Sequence, residues 1–175
     1  ESLDFMKQHM YYLESSFDEY DICYVTGNLA PTTKLQPAKM RHSGDKAKLI
    51  SVNTGNEQGY LGRFTESRDN FSISYEASQK AHNALKWLIT KQGFQLDGRV
   101  FLIWNKRANE EISLFDFIWK SSTTEEAIEK LEAIDNDSDY YSLILDSLII
   151  GRLSILSFKS FKGSEIKRHL MKWYF

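Results

Sequence analysis

The sequence predicts an α+β fold: a mixed, largely antiparallel sheet packed with several helices. Three observations carry that prediction. Helix-like and strand-like patterns follow one another irregularly, without the repeated βαβ unit of a doubly wound sheet. Apolar residues make up 42% of the chain and aromatic residues 14%, enough for a packed core. A length of 175 residues suits one ordinary domain, so 1–175 reads as a single α+β domain.

The elements follow in order. "LDFMKQHMYYLESSF" (3–17) sets Met6, Met10, Leu13 and Phe17 on one helical face. "DICYVTG" (21–27) is rich in β-formers and ends on Gly27, which predicts a strand. A loop with Pro31 and Pro37 comes next. "AKLISVN" (47–53) reads as a strand and "GYLGRF" (59–64) as its return. The clearest helix is "YEASQKAHNALKWLITKQG" (75–93). Its Ala77, Ala81, Ala84, Leu85 and Leu88 form one apolar stripe, with Ser74 capping the start and Gly93 the end. The alanines should let that helix lie close against a sheet, and Trp87 should pack on a neighbouring element. His82 is expected to be a packed or half-exposed side chain rather than a base.

"RVFLIW" (99–104) predicts a buried strand, whereas "ISLFDFIW" (112–119) fits strand or helix. Thr123 and Glu126 have capping-box spacing ahead of Ala127, Ile128, Leu131 and Ile134. "DNDSD" (135–139) is a loop that lacks the glycine and final glutamate of a calcium loop. "YYSLILDSLII" (140–150) fits strand or short helix, and "GRLSILSFKSF" (151–161) is strand-like. A last helix begins at "GSEIKRHL", capped by Ser164. Since the chain opens on Glu1 and stops on Trp173-Tyr174-Phe175 straight after a helical pattern, it is expected to be part of a longer, multi-domain chain.

A net charge of -2 conceals segregated blocks. Residues 34–107 hold 13 basic against 6 acidic side chains, while 108–146 hold 11 acids against Lys120 and Lys130. The first block reads as a basic part that faces a polyanion, the second as an acidic helical part. Cys23 is the one cysteine, which removes intrachain disulfides and cysteine-based zinc sites and fits a reducing, cytoplasmic setting. No apolar run reaches the roughly 18–20 residues of a membrane span.

Much enzyme chemistry lacks its residues. His9, His42, His82 and His169 have no metal-ligand spacing, and there is no Walker A loop, dinucleotide fingerprint or nucleophile elbow. Glu110-Glu111 and Glu125-Glu126 are adjacent along the chain and so point apart, which suits neither a shared metal nor a shared proton. No cofactor and no metal site is expected.

The basic segment differs. Lys34, Lys39, Arg41, Lys46 and Lys48 stand against Asp45 alone, with Arg63 and Arg68 beyond and Ser43, Gly44, Ser51 and Asn53 among them. Cations neutralise phosphates and release counterions, glycine lets backbone N–H groups approach, and asparagine can read a base edge. Lys80, Asn83, Trp87 and Lys91 share the helix side away from the alanine stripe.

"CYVTG" (23–27), "PAKMRHSGDKAKLISVN" (37–53), "GRF" (62–64) and "YEASQKAHNALKWLI" (75–89), with "GRLSI" (151–155), carry a likeness. In that order they resemble the large subunit of the type I-C CRISPR surveillance complex, Cascade, a Csd-type CRISPR-associated protein. Members are longer, and many carry His-Pro where this chain has Gln36-Pro37. The resemblance implies a non-catalytic subunit. Guide RNA supplies sequence recognition, while the large subunit reads a short flanking motif (PAM) in double-stranded DNA. Implied partners are the guide-RNA-containing backbone subunits, the target duplex and the helicase-nuclease.

On that reading Lys39, Arg41, Lys46, Lys48 and Arg63 lie against phosphates. Ser43 or Asn53 approaches a groove edge, and Gly44 gives the backbone room. Two rivals stand beside it. A scaffold within Cascade would hold other subunits through the acidic block without touching DNA. A metal-dependent nuclease would need converging carboxylates, which no motif supplies.

Overall fold

The computed structural model describes residues 2–33, 35–51, 71–105, 124–149 and 151–174. The expected α+β class holds. Helix α1 (Ser2–Ser15) is followed by strands β1 (Tyr20–Ile22) and β2 (Leu29–Pro31), then helix α2 (Tyr75–Gln92). Strands β3 (Phe94–Leu96) and β4 (Arg99–Asn105) come next, then helix α3 (Thr124–Glu132). The long strands β5 (Asp139–Ile149) and β6 (Arg152–Lys162) lead into helix α4 (Gly163–Tyr174). Every strand pair among the described residues is antiparallel: β1 with β2, and a four-stranded sheet in the order β3-β4-β5-β6. Among the described residues no helix is long and apolar enough to cross a membrane.

Contacts divide the chain into two compact units. One comprises Glu1–Pro37 and Ile50–Asn83, the other Ala38–Leu49 and Ala84–Phe175. In the first, the expected strand 21–27 stops at Ile22. Residues 24–26 turn, and Gly27 takes φ +73°, a left-handed conformation that ends the extended run. Pro31 lies in β2 rather than in a loop. Ser74 caps α2 as expected, its Oγ accepting from the Ala77 N–H at 3.2 Å. The Ser74 N–H donates to the buried Cys23 sulfur at 3.3 Å.

The alanine stripe is a correction. Ala81 and Ala84 are exposed, and the face α2 buries runs through Ser78, His82, Leu85, Ile89 and Gln92. Spacing alone favoured the alanines, but the buried face is set by hydrogen bonds that satisfy its polar members. Ser78 Oγ donates to Gln36 Oε1 at 2.6 Å, and Gln92 Nε2 to the Ile103 carbonyl at 2.9 Å. Thus Gln36 is a buried brace for α2. His82 is packed as expected, its Nδ1 2.7 Å from the Ser78 carbonyl, whereas Trp87 is 47% exposed rather than packed.

The second unit holds the sheet. Alternation along its strands sends consecutive residues to opposite faces. Val100, Leu102, Leu143, Leu145 and Leu153 pack on one side with Leu85 and Ile89 of α2, Met40 and Ala47. Ile103, Tyr140 and Phe161 on the other meet Leu131, Ile134, Ile166 and Leu170 around α3 and α4. Fully burying an apolar side chain such as Leu102 contributes roughly 2 kcal/mol. The stretch 140–150 is ambiguous in sequence; through Ile149 it is strand, because β4 and β6 pair on both its sides.

Of the acidic block, 124–132 is helical and 139–146 is strand. Residues 59–64 and 112–119 lie outside the described residues. Ser164 sits inside α4 rather than at its cap. The helix starts one residue earlier because Glu165 Oε2 accepts from the Lys162 N–H at 3.0 Å, and Gly163 and Ser164 donate to the Ser138 and Asn136 carbonyls. A side chain on Gly163 would collide with the Asp135 carbonyl, so that close approach needs glycine.

Candidate functional site

The basic turn belongs to the second unit, and its form follows from alternating burial. Met40, Asp45 and Ala47 are buried, while Lys39, His42, Ser43, Gly44 and Lys46 are exposed. Met40 and Ala47 join the core beneath the sheet and so fix both shoulders of the turn. Between them the backbone closes twice: the Asp45 N–H donates to the His42 carbonyl at 3.0 Å, and the Lys39 N–H to the Asp45 carbonyl at 2.9 Å. Lys39 takes φ 62°, unusual for a residue with a side chain.

Asp45 is the hub. Arg41 grips it with both ends of its guanidinium, Nε to Oδ2 at 2.9 Å and Nη2 to Oδ1 at 3.0 Å. The Ala47 N–H adds a third donor at 3.0 Å. These bonds, Arg41's foremost, hold the Asp45 carboxyl below the usual carboxylate range against the opposing effect of burial. Arg41 reaches further: its Nη1 donates to the Gly98 carbonyl at 2.6 Å. Gly98 (φ 80°) and Asp97 (φ 49°) form the two-residue turn between β3 and β4, a connection that needs positive φ at both positions. Gln95 Nε2 contacts the Arg41 carbonyl at 3.3 Å.

Lys48 ties the far end of the turn to β6. Its N–H donates to the Gly151 carbonyl at 3.1 Å, and its carbonyl accepts from Leu153 at 2.9 Å. This one parallel bridge, Lys48 to Arg152, is all that the expected strand 47–53 amounts to through residue 51. β-Propensity supplies readiness, but a ladder needs a partner along its length, and the segment meets β6 at one residue. Burial nevertheless alternates there: Asp45 and Ala47 are buried, Lys46 is exposed and Lys48 half-buried.

The charges divide cleanly. Asp45 is held by Arg41, and Asp146 by Arg99 Nε at 2.8 Å, which likewise lowers the Asp146 carboxyl. Among the described residues Lys39, Lys46, Lys48 and Arg152 make no ion pair. Of the sequence-selected set, then, Lys39, Ser43, Gly44, Lys46 and Lys48 share one turn, Arg41 is its internal clasp, and Asn53 and Arg63 lie outside the described residues. Arg152 was missed; its only signal was the "GRLSI" motif, whose arginine had no assigned role. Elsewhere, no three His, Cys, Asp or Glu among the described residues gather as metal ligands.

Fold and turn together describe an α+β chain that presents a cationic loop on a sheet scaffold. The family described as CRISPR-associated protein (Cas_Csd1) matches residues 3–175, and the chain belongs to that family. The Csd-type resemblance carried by the motifs is thereby borne out. No individual curated protein matches the chain.

Proposed function

We propose that this chain is the DNA-facing part of the large, non-catalytic subunit of a type I-C Cascade complex, contributing to double-stranded target binding and PAM recognition. One observation carries the reading: the turn's only carboxylate is bound by Arg41, and Lys39, Lys46 and Lys48 make no ion pair among the described residues. Those lysines take backbone phosphates, and Ser43, beside Gly44, lies nearest the base edges. Arg41 positions the turn and does not contact the ligand. Asn53 and Arg63 stay in the proposal on sequence grounds. The backbone subunits with their guide RNA and the helicase-nuclease complete the assembly.

Salt dependence of binding tests this. In the assembled complex, with a labelled duplex oligonucleotide carrying the flanking motif, Lys39→Ala with Lys46→Ala should flatten log K against log[salt] by about 1.8, at about 0.9 per phosphate. An unchanged slope refutes the reading.

A scaffold role is the second reading. It is favoured by the exposed apolar residues Ile155, Leu156 and Phe158 on β6 and by Leu3, Phe5, Tyr11 and Tyr12 on α1. It predicts protein crosslinks but no DNA crosslinks at residues 39–63.

A further inference from the structure

We infer that Lys48 and Arg152 form a two-armed clamp for a single backbone phosphate of duplex DNA. This rests on the reading above and adds a residue far downstream in the chain. The two are Cα partners across the bridge between the turn and β6, so their side chains leave the same side of the sheet. Ala47 and Leu153, their neighbours, point into the core; Lys48 and Arg152 therefore point away from it, and both are only half-buried.

Two like charges directly opposed across a strand pair repel. Ordinarily a neighbouring carboxylate relieves that repulsion, but among the described residues none pairs with either side chain. The acid next along that side, Asp146 opposite Ser154, already accepts from Arg99 Nε and from the Ser147 N–H at 2.7 Å. Asp45 is taken by Arg41. Gly151, at φ +86°, forms the tight turn that delivers Arg152 to this place, and its carbonyl is the one that fixes Lys48. The juxtaposition is therefore built by backbone bonds and, among the described residues, is not neutralised by an ion pair. A phosphodiester answers it, since its two non-bridging oxygens can each accept from one arm and its charge cancels the repulsion.

The test uses the full chain in its assembled complex and a labelled duplex oligonucleotide. Lys48→Gln and Arg152→Gln should each weaken binding about tenfold at low salt. Each alone should change the salt slope little, because the other arm still neutralises the phosphate. Together they should flatten the slope by about 0.9, one phosphate's worth. Flattening by about 1.8 would mean two separate phosphates and overturn the clamp. So would unchanged affinity in Arg152→Gln, while a slope still sensitive to Lys39 and Lys46 would leave the broader reading standing. Removing a repulsion should leave the melting temperature of Arg152→Gln unchanged or raised; a fall would make Arg152 structural. A larger loss for single-stranded RNA than for the duplex would also overturn the assignment.

Discussion

The basic turn at 39–48 and the acidic loop at 135–138 are both charged connections in the same unit, yet their charges end differently. In the acidic loop the groups are used at home. Asp135 accepts from the Asp137 N–H at 3.1 Å and the Ser138 hydroxyl at 2.6 Å, and the Asn136 and Ser138 carbonyls receive the first N–H groups of α4. Lys162 bridges to the Asp137 carbonyl and to Asp139 at 2.7 Å. That loop is a helix cap. In the basic turn Arg41 and Asp45 form the one ion pair among the described residues, with Lys39 and Lys46 exposed and Lys48 half-buried. A run of like charges in a sequence thus says little until its counter-charges are located.

Three experiments would break or sharpen this contrast. The largest effect belongs to the acidic loop. Gly163→Ala drives a methyl into the Asp135 carbonyl and should cost about 3 kcal/mol in denaturant unfolding. An unaltered midpoint would show that loop and helix are not interlocked.

Next comes the hub of the basic turn. Asp45→Ala leaves Arg41 and the Ala47 N–H without their acceptor, and the loss should be about 2–3 kcal/mol. The same pair gives a pH signature. The Asp45 and Asp146 carboxyls sit lower in the folded chain than in the unfolded one. Their stabilisation is therefore present above the unfolded value of about 3.9 and lost as pH falls through the lower folded values. Melting temperature should hold steady above about pH 5 and drop below about pH 4, less steeply in Asp45→Ala. An equal drop in both proteins would remove Asp45 as the source.

The smallest effect is expected at the tip. Gly44 has no positive φ, and among the described residues an added Cβ would meet the His42 ring, Nδ1 at 3.5 Å and Cε1 at 3.7 Å, both ordinary contacts. Gly44→Ala and Lys46→Ala should each change stability by less than about 0.5 kcal/mol. A substantial loss in unfolding would show that the tip serves the fold, and the contrast with the acidic loop would vanish.

Much of the architecture was legible in the sequence. The Ser74 cap and the helix end at Gly93 follow from local bonds, and the strand at 99–104 from its apolar run and the tight hairpin with β3. What was hidden depends on partners distant in the chain. The buried face of α2 is chosen by Gln36 and by the Ile103 carbonyl, which no helical periodicity reveals. The strand expected at 47–53 lacked a partner beyond Arg152 through residue 51. Within the site, composition found the turn, but not that Arg41 would turn inward to Gly98 or that Arg152 would arrive beside Lys48. Both depend on two-residue hairpin turns closing elsewhere, at Asp97-Gly98 and at Gly151.

The seating of this turn on Met40 and Ala47 has an evolutionary consequence. Among the described residues the hydrogen bonds that hold the segment are made by residues 39, 41, 42, 45, 47 and 48, at 39 and 42 through the backbone, while Met40 and Ala47 pack in the core. Side chains at 42, 43, 44 and 46 can therefore drift freely as far as folding is concerned. Lineages could exchange those letters while the mount beneath stays as it is.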